Sequence, residues 1–160
     1  MRRVPPGGDR RLVIDGSGNV LVEFALALPL LFLLLAGLLD LGRFGLQKSS
    51  LVHGAREGAS YGMVAPLDSA AINSTAQNAT GLTGVTATNS VFCECVAGTA
   101  VACTTNCGAG VTRKTYISVT TSKTFSSVLS VATLNFGTFG SFTPPTSVSA
   151  TITMPVVMPP

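Results

Sequence analysis

Charged residues make up only 11% of the chain, tryptophan is absent, tyrosine occurs twice and histidine once. Each shortage excludes something. The basic residues exceed the acidic ones by a net +3 and are scattered, so no stripe marks a nucleic-acid footprint. The single histidine, His53, leaves no Ser-His-Asp or Cys-His arrangement and no histidine-containing metal cluster, and no glycine-rich phosphate loop is present. His53 stands four residues before Glu57 on a predicted helix, a spacing that suits a surface pair better than a general base. The stretches GVTATNS and FGTFG read as turn chemistry. The sequence is therefore read as that of a protein that is not an enzyme, with no catalytic residue, no metal and no cofactor.

What the chain has in excess is apolar sequence, 46% of its residues, and much of it lies in one place. The stretch GNVLVEFALALPLLFLLLAGLLDLGRF contains twenty residues, 20–39, with a single charge, Glu23. As a helix rising about 1.5 Å per residue, that run is roughly 30 Å long, the hydrocarbon thickness of a bilayer. The scarcity of tryptophan and tyrosine removes the usual interfacial aromatic belt, so the membrane reading rests on length. Before the run, residues 1–18 read as polar and disordered, with Arg2, Arg3, Arg10 and Arg11 beside Asp9 and Asp15. Against Arg43, Lys48 and Arg56 after the run, these four arginines place the amino terminus in the cytoplasm by a modest margin.

Ordinary signal-peptide cleavage fits poorly. Ala25, Leu26 and Ala27 offer small residues for a cut, yet the strongest apolar stretch, residues 30–35, follows them, whereas a signal peptide's apolar region ends at its cut. A plain anchor explains the length and leaves Glu23 as an interfacial acid whose cost, on the order of 3 kcal/mol at a bilayer centre, is reduced by snorkelling. A processed anchor gives Glu23 a role. If a peptidase cuts between Gly18 and Asn19, Asn19 carries a new ammonium, and residues 19 and 23 share a helix face. Near the positive end of the helix dipole, the carboxylate then neutralises that amino terminus or the one of a neighbouring subunit.

Gly18, four residues, Glu23-Phe24 and a long apolar helix resemble the type IV prepilin processing site in the form used by tight-adherence pilus systems. The following VEFALALPLLFLLLAGLLDLGR, with GAREGASYG ending at Gly62, resembles the TadE-like family, whose members share such a start and a later A-R-E-G-A segment. The resemblance implies a minor pseudopilin, cut after Gly18 by a prepilin peptidase. It implies a location in the cytoplasmic (inner) membrane, possible association with a pilus, and partnership with other pseudopilins or pilin subunits. The chain is much longer than the very short major pilins of such systems. An uncleaved single-pass anchor bearing an extracytoplasmic binding or structural module is the alternative.

The first helix is expected to run past the membrane, over residues 19–61, because Leu41, Phe44, Leu51, Val52, Ala55 and Ala59 continue an apolar helical stripe. Pro29 removes the bond to the Ala25 carbonyl, which predicts a kink or local loosening. Gly54, Gly58 and Gly62 recur every four residues. Since each glycine costs around 1 kcal/mol against alanine inside a helix, three in register predict a close-packed face, against a second helix or the carboxy-terminal domain. Asp68 is positioned to cap a short second helix over residues 68–79 that stops by Gly81. Residues 85–91, 115–121 and 148–154 alternate as strands, for an antiparallel sheet of three or four strands with one face buried. Residues 127–136 suit a short helix or a strand, and Pro144 and Pro145 form a turn.

The fold class is thus α+β: a long amino-terminal transmembrane helix extending into a pilin-like domain with a short second helix and a small antiparallel sheet. The arrangement of these elements comes from the resemblance. The divisions expected are a leader of residues 1–18, a transmembrane helix 19–39, its extramembrane continuation 40–62, and an extracytoplasmic domain 63–160.

Cys93, Cys95, Cys103 and Cys107 lie within fifteen residues. The paired Cys-x-x-Cys spacing commonest in zinc and redox centres is missing, which favours two disulfides formed in an oxidising compartment over a cysteine-based metal or redox site. Cys93 and Cys95, two apart in an extended segment, point to the same side, so each pairs forward. Both 93–103 with 95–107 and 93–107 with 95–103 satisfy that condition. Disulfides put the residues after the membrane outside the cytoplasm, in agreement with the arginine count.

Overall fold

The computed structural model describes residues 17–128, 133–135 and 137–157. The basic segment with Arg2, Arg3, Arg10 and Arg11 lies outside them, as does much of 127–136. By its internal contacts the chain falls into two units, one ending at Ala36 and one covering Gly37–Pro160. Helix α1, Ser17–Val64, enters both and carries Pro29 in its interior without ending there.

In the first unit the helix has no cover. Phe24 is 60% exposed and Leu26 77%, and the most apolar window, with a mean hydropathy of 2.5, has none of its residues buried. Leucine and phenylalanine side chains at this density are not left in water, because each returns roughly 1.5–3 kcal/mol when covered. By length and composition α1 is able to cross a membrane.

In the second unit the same helix acquires a stripe. Leu51, Gly54, Ala55, Gly58, Ala59 and Gly62 are buried, while Arg56, Glu57 and Ser60 between them are exposed. Spacings of three and four put the buried set on one face of a helix. Helix α2, Ser69–Ala79, starts where the Asp68 carboxylate accepts the Ala71 N–H at 3.0 Å, which satisfies one of the donors left orphaned at a helix start. It buries Ile72 and Ala76, and Gly81, at φ +64°, turns the chain out of it.

The strands are β1 (Val85–Val96), β2 (Thr99–Val101), β3 (Lys114–Thr124), β4 (Leu134–Asn135), β5 (Ser141–Phe142) and β6 (Ser147–Pro155). Four form an antiparallel sheet in the order β2-β1-β3-β6, and β4 pairs with β5 as a separate ribbon. Alternation along the strands sends one set of side chains inward: Ala87 and Cys93 on β1, Ile117, Val119 and Thr121 on β3, Val148 and Ala150 on β6. With the buried stripe of α1 and α2 these build two clusters. One unites Ala59, Ile72, Ala76, Ala87, Ile117 and Val119; the other unites Leu51, Phe125, Val148 and Ala150.

One polar bond crosses that core. The buried Thr121 hydroxyl donates to the Leu51 carbonyl of α1 at 2.9 Å. Thr121→Val keeps the shape and removes the bond, so we expect a loss of about 1 kcal/mol, read as a fall of several degrees in the thermal midpoint. An unchanged midpoint would show that the bond contributes nothing.

Candidate functional site

Glu23 lies in the first unit on α1, exposed, with no hydrogen bond or ion pair to any described residue. Phe24 beside it is also exposed. Gly18 and Asn19 fall in the opening turn of the same helix, and Asn19 and Glu23 are four residues apart. The first turn contains no acidic residue, so Glu23 is the acid next along to answer the positive end of the helix dipole. The peptide bond between Gly18 and Asn19 is helical backbone within the first turn, where helices fray most readily.

The three glycines are in the second unit, and each leaves room for a packed neighbour. A Cβ on Gly54 would overlap the Ala76 carbonyl oxygen and the Thr80 methyl group. On Gly58 it would stand 2.7 Å from the Ala76 Cβ, and on Gly62 2.9 Å from Ile117 Cγ1. α1 therefore meets α2 at two of the positions and β3 at the third. At Gly54 and Gly58 the missing side chains let α1 and α2 approach closely, and at Gly62 the space is filled by the Ile117 side chain.

The cysteines pair as Cys93–Cys103 and Cys95–Cys107, with Cα separations of 5.0 and 5.2 Å, inside the range that a disulfide spans. The cause is the β1–β2 hairpin. Its register sets Cys93 opposite Val101, so Cys103, two residues on, arrives beside Cys93, and Cys107 is left for Cys95. Gly98, at φ +83°, makes the turn. Among the described residues no group of three or more His, Cys, Asp or Glu is placed to hold a metal, and His53 and Glu57 are both exposed.

Sequence reasoning missed Asp40. It follows the apolar run directly, yet its side chain is only 14% exposed. It accepts the Val128 N–H at 2.8 Å and the Ser127 hydroxyl, and Arg43 stands 4.0 Å away. Phe44, one turn on, meets Phe125 edge to face at 5.5 Å. Together they hold the chain leaving β3 against α1. An acid at the exact end of a long apolar run is a signal that composition alone could have raised.

An exposed apolar helix that continues into an α+β head closed by two disulfides defines the class: a protein with one helix long and apolar enough to cross a membrane and a small stapled domain. The sequence profile of the TadE-like protein family matches residues 18–60, so over that segment, which includes Gly18, Glu23, Gly54 and Gly58, the chain is similar to that family. Searches of curated proteins and of solved structures return no match.

Proposed function

We propose that the chain is a minor pseudopilin that acts in assembling a tight-adherence pilus or its secretion apparatus. The TadE-like match supports a role associated with such a pilus, and TadE-like proteins are structural components, not enzymes. The observation that carries the finer reading is Glu23: a carboxylate on an uncovered apolar helix, unpartnered among the described residues, five residues after Gly18. Such a group is stabilised by a cation in the same low-dielectric layer. The ammonium released at Asn19 on a neighbouring subunit supplies it.

In this reading a prepilin peptidase cuts between Gly18 and Asn19. Residues 1–18 are then a cytoplasmic leader, 19–39 the membrane span, 40–62 its extension and 63–160 the extracytoplasmic head. Four arginines before the span and two disulfides after it support that orientation. Phe24 packs beside Glu23 on the neighbouring helix.

Mass spectrometry of the protein from cells with active peptidase should find Asn19 as the amino terminus. A chain intact from Met1 would sink the processing step and favour an uncleaved anchor with a structural head. Glu23→Ala should leave the protein in the membrane fraction and reduce assembly at least tenfold, counted as piliated cells; normal piliation would remove the carboxylate from the mechanism.

A further inference from the structure

The face of the sheet turned away from α1 and α2 is an ordered array of hydroxyl groups. Strand pairing aligns Thr86, Ser122 and Ser149 in one row, Thr88, Thr120 and Thr151 in the next, and Ser90, Ser118 and Thr153 in a third. Every position in this three-by-three grid is serine or threonine. A fourth row, Phe92, Tyr116 and Pro155, follows at one end, with Glu94 opposite Lys114 beyond it; at the β6 margin the Lys48 ammonium, reaching from α1, donates to the Ser149 carbonyl. The grid residues on β1 and β6 are exposed, and those on the central β3 are half-buried by their neighbours.

The hydroxyls are held in place by one another. Thr86 and Ser122 are bonded at 2.7 Å, Thr120 and Thr151 at 2.8 Å, and Thr153 donates to Ser118 at 3.3 Å. Thr86 also donates to the Ser122 carbonyl at 3.3 Å, and the third hydroxyl of each row, on Ser149, Thr88 and Ser90, keeps donor and acceptor capacity for a ligand. Residues two apart on a strand are about 6.7 Å apart, and neighbouring strands about 4.8 Å. At the end of the grid the Phe92 and Tyr116 rings stack on each other, with centroids 5.5 Å apart and planes within 19°, so each turns one face to the other and keeps its outer face and edge for a ligand.

The solvent face of an antiparallel sheet is ordinarily polar, but three successive rows without a charge are unusual for a surface kept soluble by charge. That neutrality selects the occupant. An anionic or cationic polymer finds no counter-charge on the grid. An apolar surface would bury hydroxyls without partners, at a cost for each. What matches is a neutral ligand that is itself dense in hydroxyls and has one apolar face. A sugar ring has both: hydroxyls around its rim and a C–H face that packs on the outer face of an aromatic ring by dispersion. Because the sheet twists by roughly 20–25° per strand, successive rows turn, which suits a single flexible chain and not a flat crystalline surface.

We propose that this face is a docking surface for a neutral polysaccharide, with a sugar ring on Phe92 and Tyr116 and the chain continuing across the hydroxyl rows. The proposal does not depend on processing at Gly18, since cut and uncut chains present the same face.

The test uses the full-length protein in lipid nanodiscs, free of sugar-based detergent, on an array of immobilised oligosaccharides: neutral glucose and N-acetylglucosamine oligomers, and anionic oligogalacturonate. Binding to a neutral oligomer is expected. The triple variant Thr88→Val, Thr120→Val, Thr151→Val removes one row of hydroxyls and keeps β-branched residues suited to strands; it should bind at least about tenfold more weakly with an unchanged melting midpoint. Thr120→Lys gives an independent reading and should also lose binding. Failure of every neutral oligomer to bind, preference for the anionic one, or equal binding by both variants would overturn the proposal. So would a dimer of the protein that dissociates on these substitutions without any glycan effect, since the face would then be a contact between copies.

Discussion

Gly54→Ala is expected to destabilise the head by about 1–3 kcal/mol, although alanine is the better helix former. The intrinsic gain on replacing glycine within a helix is about 1 kcal/mol. Against it stands a methyl group placed on the Ala76 carbonyl oxygen and the Thr80 methyl. The carbonyl belongs to the backbone of α2 and moves only with that helix, so the methyl forces α1 and α2 apart and loosens the cluster of Ala59, Ile72 and Ala76. Gly45 is the control. It lies on the same helix with nothing within 4 Å of its Cβ position, and there the same substitution should stabilise by up to about 1 kcal/mol. Urea titration read by pulse proteolysis measures both. Two changes of the same sign would show that propensity, not approach of the backbones, governs this helix.

Removing the Cys93–Cys103 disulfide by a double change to alanine is expected to cost about 3 kcal/mol or more, and removing Cys95–Cys107 distinctly less. The loops are nearly the same size, with sequence separations of 10 and 12, so loop entropy assigns each about 3 kcal/mol. What separates them is burial. Cys93 is fully buried on the inward face of β1, its sulfur 3.4 Å from the Thr115 hydroxyl, whereas Cys95 is only half-buried. The first double variant therefore also leaves a void in a close-packed region. Thermal midpoints of the two variants decide it; equal losses would mean that the loop constraint is the whole effect.

Local chemistry made the elements readable, and distance in sequence hid their arrangement. The Asp68 cap announced α2 because a cap acts over three residues. The inward sets of β1, β3 and β6 were legible because alternation is a local pattern. β1 nevertheless runs on to Val96, past the expected end at residue 91, because pairing with β3 and β2 carries it through the cysteines. β2, with three residues, is too short to show a period at all. The two disulfide pairings could not be separated without the hairpin register that sets Cys93 against Val101. At the candidate site, the interval between Gly18 and Glu23 and the fourfold spacing of the glycines were on the surface of the sequence. Which atoms each glycine faces was not, since Ala76, Thr80 and Ile117 reach the helix only through the tertiary fold. Asp40 was overlooked for the same reason: its partners, Ser127 and Val128, are far away along the chain.

β6 is an edge of the four-stranded sheet. Its even-numbered residues bond to β3, as Phe125 with Thr146 and Thr115 with Val156 show at the two ends, so the backbone groups of Ser147, Ser149, Thr151 and Thr153 point away. A nine-residue strand without a charge is the kind of open margin onto which another chain's strand adds. Lys48, reaching from α1, takes the Ser149 carbonyl, and Pro155 contributes no N–H. On a strand that would otherwise accept a neighbour, a finished selvedge of this sort keeps one sheet from adding to another.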